Sequence, residues 1–264
     1  MRTAVTVRQR HGPVKKLECH ESAAAGRGRS VTGGAAAAET GRPYEKPAGD
    51  GMCWSATADL VAGSAIAATG VACAARTRRL RDLPLAALPL LLGAHQIIES
   101  VVWRADGGTG PATMAWAVIA LPVLALWVPL GVLCAALPQA RLRLALPSAA
   151  GAATAAALAY SLATRPVTAR IRGHTLGYVL ELPHPGLLVA GYLVATVGAL
   201  LLSGDRVLVW LGVLVAGGAA VCAALWRLEF ISTWCAFAAV CSVVLLGWSG
   251  RRPAGTADRD ARPA

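Results

Sequence analysis

Two residues in this chain have the types and the spacing that proton or metal chemistry requires: His95 and Glu99, four positions apart. In an α-helix this spacing places both side chains on one face. Imidazole and carboxyl groups together can hold and pass a proton, bind a substrate, ligate a metal ion or form a hydrogen-bonded pin between helices. These alternatives stay open, and no cofactor is predicted beyond the option of a metal at this pair.

The helix that carries the pair is one of seven apolar segments between Met52 and Trp248. An α-helix needs roughly 20 mostly apolar residues to cross a bilayer. The chain is 56% hydrophobic and 15% charged, whereas an ordinary soluble domain has about 25% charged residues. The composition therefore predicts an all-α integral membrane bundle of seven helices, over residues 57–75, 83–102, 111–137, 146–164, 185–203, 207–226 and 231–248.

Arginine is unevenly divided between the links that join these segments. The links after the first, third and fifth segments, together with Arg251 and Arg252, hold nine arginines, and the alternate links hold five. Because Lys and Arg are enriched on the cytoplasmic side, we expect a multi-pass protein of the plasma (cell) membrane with its amino end outside and its carboxyl end inside. The expected partners are the lipid bilayer and an unidentified small molecule.

The net charge of +11 also raises the question of nucleic-acid binding. No basic face with interleaved aromatic residues is visible, and the arginines fall in links and in the carboxyl-terminal tail. Membrane topology accounts for this distribution, so no nucleic-acid partner is predicted.

Alternating directions for the seven segments bring most of the other polar residues to the same end as His95 and Glu99. Asp59, near the start of the first segment, is the third candidate for catalytic acid–base work. Ionisable groups inside a membrane usually face the bundle interior and have partners. We therefore expect an outward-facing polar pocket, whose further lining residues are Ser55, Trp103, Arg227, Glu229 and Trp234.

Cys53 and Cys235 both fall near the outer surface in this topology, where the environment is oxidising. They could form a disulfide between the first and seventh segments, or both could be free packing thiols. The seven cysteines and five histidines show no spacing that is typical of a zinc site.

Residues 1–51 differ in composition from the rest of the chain. They are polar, and they hold all three lysines, Lys15, Lys16 and Lys46. We expect them to be either a disordered extension or the product of a mis-called start, with Met52 as the true first residue. Residues 52–248 are expected to form the transmembrane domain, and residues 249–264 a disordered cytoplasmic tail.

Three runs carry a resemblance to a known family: MCWSATADLVAG at 52–63, LPLAALPLLLGAHQIIESVVW at 83–103 and WRLEFISTWCAFA at 226–238. They resemble DUF6629, an uncharacterised family of multi-pass membrane proteins found chiefly in actinobacteria. Members of this family begin at the Met-Cys-aromatic-Ser run, which agrees with a start at Met52. The resemblance implies a membrane fold and no established activity.

Three functions remain open. The leading hypothesis is a non-enzymatic small-molecule or proton-coupled transporter or sensor, with His95 and Glu99 as its ionisable centre. The alternative is a membrane-embedded hydrolase that acts on a lipid or another amphiphile, with His95, Glu99 and Asp59 doing either acid–base or metal-dependent chemistry. The second alternative is a structural or assembly subunit.

Overall fold

The computed structural model describes residues 55–172, 175–225 and 230–250, and within them it contains seven long helical segments and one β-hairpin. The first segment is α1 (Ala56–Arg76). The second segment consists of a 3₁₀ turn (Leu80–Asp82), α2 (Leu83–Ala86) and α3 (Leu88–Arg104). The third segment consists of α4 (Pro111–Val118), a π turn (Ile119–Val123) and α5 (Leu124–Ala135), and the fourth is α6 (Pro138–Thr164). The fifth segment follows the hairpin and consists of α7 (Pro185–Leu193), a second π turn (Val194–Gly198) and α8 (Ala199–Leu202). The sixth and seventh segments are α9 (Arg206–Leu225) and α10 (Phe230–Ser249).

Most of the described helical segments have the length and composition of membrane-spanning elements. Within the described residues, five are long and apolar enough to cross a membrane: Ala56–Arg76, Leu80–Arg104, Pro111–Ala135, Pro138–Thr164 and Pro185–Leu202. The last two segments contain shorter apolar stretches, Arg206–Val221 and Ala239–Ser249. The structure is therefore a mostly α-helical bundle, with one β-hairpin, whose long apolar helices are those of a membrane protein.

Glycines allow α1 and α3 to pack antiparallel with their backbones in contact. A Cβ atom at Gly93 would lie 2.5 Å from the backbone nitrogen of Ala67 and 2.7 Å from the carbonyl oxygen of Gly63. A Cβ atom at Gly70 would overlap the backbone of Leu90. In lipid, where apolar burial gives little advantage, close backbone approach at small residues is a main source of helix association.

The fourth segment begins earlier than the sequence analysis predicted. It starts at Pro138 rather than at residue 146, so Arg141 and Arg143 lie on α6 and not in a link. At about 1.5 Å rise per residue, the 27 residues of α6 extend for some 40 Å, which exceeds a hydrocarbon core of about 30 Å. The prediction placed the start after the arginines because charge was taken to end the helix, whereas a helix can continue into the headgroup region.

The segment between α6 and α7, predicted as a plain loop, contains an antiparallel hairpin. Strand β1 (Thr168–Arg172) pairs with β2 (Thr175–Val179), with Ala169 opposite Tyr178. Ala169 also exchanges two backbone hydrogen bonds of 2.9 Å with Gly108, in the link between α3 and α4. The hairpin is thereby tied to the end of the bundle where α3 ends, which we call the hairpin end.

The opposite end contains the turn between α8 and α9. Asp205 caps α9 by accepting a 2.8 Å hydrogen bond from the backbone nitrogen of Val207. Its second carboxylate oxygen accepts a 3.3 Å hydrogen bond from the indole nitrogen of Trp248, near the end of α10. The guanidinium of Arg143 lies close to Gly204 in the same turn. We call this the arginine end, because arginines lie there at the end of α1, near the start of α6 and at the start of α9.

Candidate functional site

A group of buried polar side chains lies between α1 and α3 near the hairpin end. On α3, the exposed fractions are 6% for His95, 2% for Gln96 and 4% for Glu99, and on α1 Asp59 is 0% exposed. We call these four residues the polar cluster. The close approach of α1 and α3 at Gly63 explains why Asp59, four residues earlier on α1, is brought to the level of Glu99.

Asp59 and α3 are joined directly by a side-chain hydrogen bond. The indole Nε1 of Trp103 donates to Oδ2 of Asp59 at 2.8 Å. Trp103 lies one helical turn beyond Glu99, so the same face of α3 carries the carboxyl and the donor. Asp59 is also close enough to Glu99 for their charges to interact. The structure thus brings together two acidic groups that lie 40 positions apart in the chain.

Two aromatic rings cover the polar cluster from the hairpin side. Trp116 of α4 and Tyr178 of β2 stack with their ring centroids 3.4 Å apart and their planes 5° from parallel. The His95 ring lies 4.8 Å from Trp116, tilted by 45°. Val102, Ala169 and Leu176 form a small apolar core beside this stack. The hairpin therefore supplies part of the wall around the buried groups.

The polar atoms of both aromatic rings are buried near Glu99. The Trp116 indole and the Tyr178 hydroxyl act electrostatically on its carboxyl group, but within the described residues neither Trp116 Nε1 nor the Tyr178 oxygen reaches ordinary hydrogen-bond geometry. Burial raises the pKa of the Tyr178 hydroxyl, and the negative charges of Glu99 and Asp59 raise it further. Tyr178 therefore keeps its proton and faces the cluster as a donor.

Of the other residues predicted for the pocket, Ser55 is the one whose side chain the structure describes. Ser55 is exposed and caps α1, since its Oγ accepts a 3.3 Å hydrogen bond from the backbone nitrogen of Ala58. Arg227 and Glu229 lie outside the described residues, as does Cys53. Trp234 and Cys235 belong to α10, but their side chains lie outside the described ones. The predicted disulfide therefore stays a prediction.

Metal binding was one of the alternatives for His95 and Glu99. Among the described residues, no group of three or more His, Cys, Asp and Glu side chains is arranged so that it could hold a metal ion. The pair itself lies on one face of α3 with Asp59 as its acidic neighbour from α1.

Sequence reasoning missed the contributions of Gln96, Trp116 and Tyr178 to this site. Gln96 lies between His95 and Glu99 in the chain and is buried against Gly63 of α1. Tyr178 belongs to a run of alternating small, polar and apolar residues at 167–179, which is typical of a hairpin. Recognising that alternation would have predicted the hairpin, although not the helix against which it packs.

The fold and this site define the class of protein: a helical membrane protein with acidic, imidazole and aromatic groups enclosed near one end of its bundle. More particularly, the chain belongs to DUF6629, a family of unknown function whose profile matches residues 52–260. This confirms the family resemblance found in the sequence. No significant match to the chain is found among curated proteins or among solved structures.

Proposed function

We propose that this protein is a non-enzymatic transporter or sensor of the plasma membrane, whose working part is an exchangeable proton held by Asp59, His95 and Glu99. In this proposal all seven helical segments span the bilayer, with the amino end outside, and the hairpin end faces the exterior. The proton would couple to a small molecule that reaches the polar cluster from outside.

One observation carries the proposal: two carboxyl groups, Asp59 and Glu99, are buried near each other inside an apolar helix pair. Two negative charges that are buried near each other repel more strongly than they would in water, because the effective dielectric constant around them is lower. A proton on one carboxyl removes this repulsion, as in carboxyl pairs that share a site. Such buried ionisable groups in membrane helices commonly mark proton relays and substrate paths.

The surrounding donors support a site that can change its charge. Trp103 already donates to Asp59, while Trp116 and Tyr178 hold N–H and O–H groups near Glu99. When a carboxyl loses its proton, the Trp103 hydrogen bond becomes charge-assisted, and the nearby N–H and O–H groups of Trp116 and Tyr178 can form hydrogen bonds to the charge, which lowers the cost of the ionised state. If these hydrogen bonds only held the two helices together, the carboxyl groups would need just one fixed charge state.

Infrared difference spectroscopy on the purified full chain tests whether the cluster exchanges a proton. We expect a carboxyl C=O band that disappears as the pH is raised, and we expect it to be lost in Glu99→Gln or Asp59→Asn. Glu181→Gln is the matched control, because Glu181 is an exposed acid that follows the hairpin. A spectrum in which neither cluster variant changes any pH-dependent carboxyl band would contradict the proposal.

A deletion strain, complemented with each variant and screened for accumulated or missing metabolites, tests the coupling to a small molecule. We expect Glu99→Gln to behave like the deletion and Glu181→Gln to behave like the wild type. If both cluster variants restore the wild-type metabolite profile and only lower the unfolding temperature, the structural-subunit hypothesis replaces this one. A stoichiometric metal that is lost in His95→Ala would instead favour the hydrolase.

A further inference from the structure

The arginine end carries an unusual concentration of exposed positive charge. Three helical segments contribute to it: α1 and the turn that follows, the first two turns of α6, and the start of α9. Since α6 packs on α5 and α8, and α10 packs on α1 and α9, these arginines are distributed over several packed helices at this end of the bundle. We call them the arginine ring: Arg76, Arg78, Arg79, Arg81, Arg141, Arg143 and Arg206.

Among the described residues, the two acidic residues at this end, Asp82 and Asp205, are outnumbered by the seven arginines of the ring. Asp82 lies 3.8 Å from Arg81, the one ion pair that is found among the described residues. Asp205 is engaged by the backbone of α9 and by Trp248. At the hairpin end, by contrast, the acidic residues Asp106 and Glu181 lie among the exposed arginines, and Asp59 and Glu99 lie beneath them. Counted over the described residues, the arginine end is therefore strongly basic, and the charges of the hairpin end are more nearly balanced.

Exposed apolar side chains are interleaved with the arginines of the ring. Leu80 is 88% exposed between Arg79 and Arg81. Leu142 is 86% exposed between Arg141 and Arg143. Trp210, one turn beyond the start of α9, is 71% exposed. An aqueous surface would give these side chains no favourable contact, whereas a membrane interface offers acyl chains for the apolar groups and headgroups for the guanidinium groups.

We propose that the arginine ring binds the phosphate headgroups of anionic phospholipids in the adjacent leaflet, with Leu80, Leu142 and Trp210 inserted beside their acyl chains. Guanidinium groups pair with phosphate through two parallel hydrogen bonds, which favours lipids with an accessible phosphodiester. Each basic residue near an anionic surface contributes about fivefold to lipid affinity. This interaction concerns the end of the bundle opposite to the polar cluster and does not depend on the proposed function.

Native mass spectrometry and thermal unfolding of the detergent-solubilised full chain test the proposal, with phosphatidylglycerol and phosphatidylcholine added separately. We expect phosphatidylglycerol to be retained and to raise the unfolding temperature, and phosphatidylcholine to have a much smaller effect. The double variant Arg141→Gln/Arg143→Gln should lose about 25-fold in phosphatidylglycerol affinity, since two arginines of the ring are removed. The double variant Arg104→Gln/Arg170→Gln, at the hairpin end, is the matched control and should keep the wild-type affinity.

Two further arms make the result decisive. Arg141→Lys/Arg143→Lys keeps the charge and should retain most of the affinity, which guards against a general folding defect in the glutamine variant. Inorganic phosphate is added in place of lipid to test for a free-anion site. Equal retention of the two lipids, equal losses in both glutamine double variants, or full stabilisation by inorganic phosphate alone would each overturn the proposal.

Discussion

The indole Nε1 of Trp103 donates a 2.8 Å hydrogen bond to Oδ2 of Asp59, and this bond connects the end of α3 to the start of α1. Asp59 is 0% exposed, so its carboxylate depends on such donors to replace water. The bond also fixes the position of Asp59 relative to Glu99, one turn earlier on α3. The geometry of the polar cluster therefore rests on a contact between two side chains that lie 44 positions apart in the chain.

Replacing the donor of this bond should destabilise the fold. We expect Trp103→Phe to lower the free energy of unfolding by about 1–3 kcal/mol, because a buried carboxylate loses a hydrogen bond while its burial persists. Urea or thermal unfolding in a mild detergent measures the change. Trp127→Phe is the control: Trp127 is 39% exposed and donates to the backbone of Pro84, so a smaller loss is expected. Equal losses would contradict the special role of the Asp59 bond.

The Tyr178 hydroxyl should make stability fall at high pH. Burial and the neighbouring acidic charges raise its pKa in the folded protein above the value in the unfolded chain. Below the unfolded pKa, near 10, both states are protonated and stability is unaffected. As the pH rises beyond it, the unfolded state loses the proton first, so the free energy of unfolding decreases by up to about 1.4 kcal/mol per pH unit.

Unfolding measured between about pH 9 and 11 checks this expectation. Tyr178→Phe should reduce the slope of unfolding free energy against pH. A Tyr178→Phe protein that retains the full wild-type slope would show that Tyr178 titrates alike in both states.

The contact between α1 and α3 should not tolerate a methyl group. We expect Gly93→Ala to cost about 1–3 kcal/mol, since its Cβ would overlap backbone atoms that cannot move aside, at 2.5 Å from Ala67 and 2.7 Å from Gly63. Gly247→Ala in α10 meets no atom within 4 Å. That control should be neutral or stabilising, because alanine favours helix more than glycine does. Thermal unfolding distinguishes the two, and comparable effects would mean that helix propensity, not close packing, governs both sites.

The hairpin should be loosened by a change at its anchor in the link between α3 and α4. Gly107 has a φ of 79°, and its Cβ would lie 2.7 Å from the carbonyl oxygen of Ala169. Gly107→Ala should therefore cost about 1–3 kcal/mol in backbone strain and increase hydrogen exchange of the backbone amides of β1 and β2. Gly110→Ala is the control, since Gly110 has a φ of −65° and no atom within 4 Å of its Cβ position. If hydrogen exchange of the hairpin amides were unchanged in the Gly107 variant, the stability of the hairpin would not depend on this contact.

Local sequence patterns predicted the helices and the neighbours within each helix. The lengths of the apolar segments agree with the observed helices to within one to three residues at most ends, and the start of α6 is the exception. His95 and Glu99 share a buried face of α3, as their spacing requires. These features depend on helical periodicity and on transfer of apolar side chains from water, both of which can be read from consecutive residues.

Contacts between elements could not be obtained in this way. In a soluble helix the polar face marks the outside, but in a membrane bundle the side chains that face lipid and those that face other helices are both apolar. The sequence therefore did not indicate that Trp116 and Tyr178 would stack over the polar cluster, or that Trp103 would donate to Asp59. Those contacts arise where Gly63 and Gly93 allow two backbones to touch and where Ala169 pairs with Gly108, because the geometry of such close approaches exists only after the chain has folded.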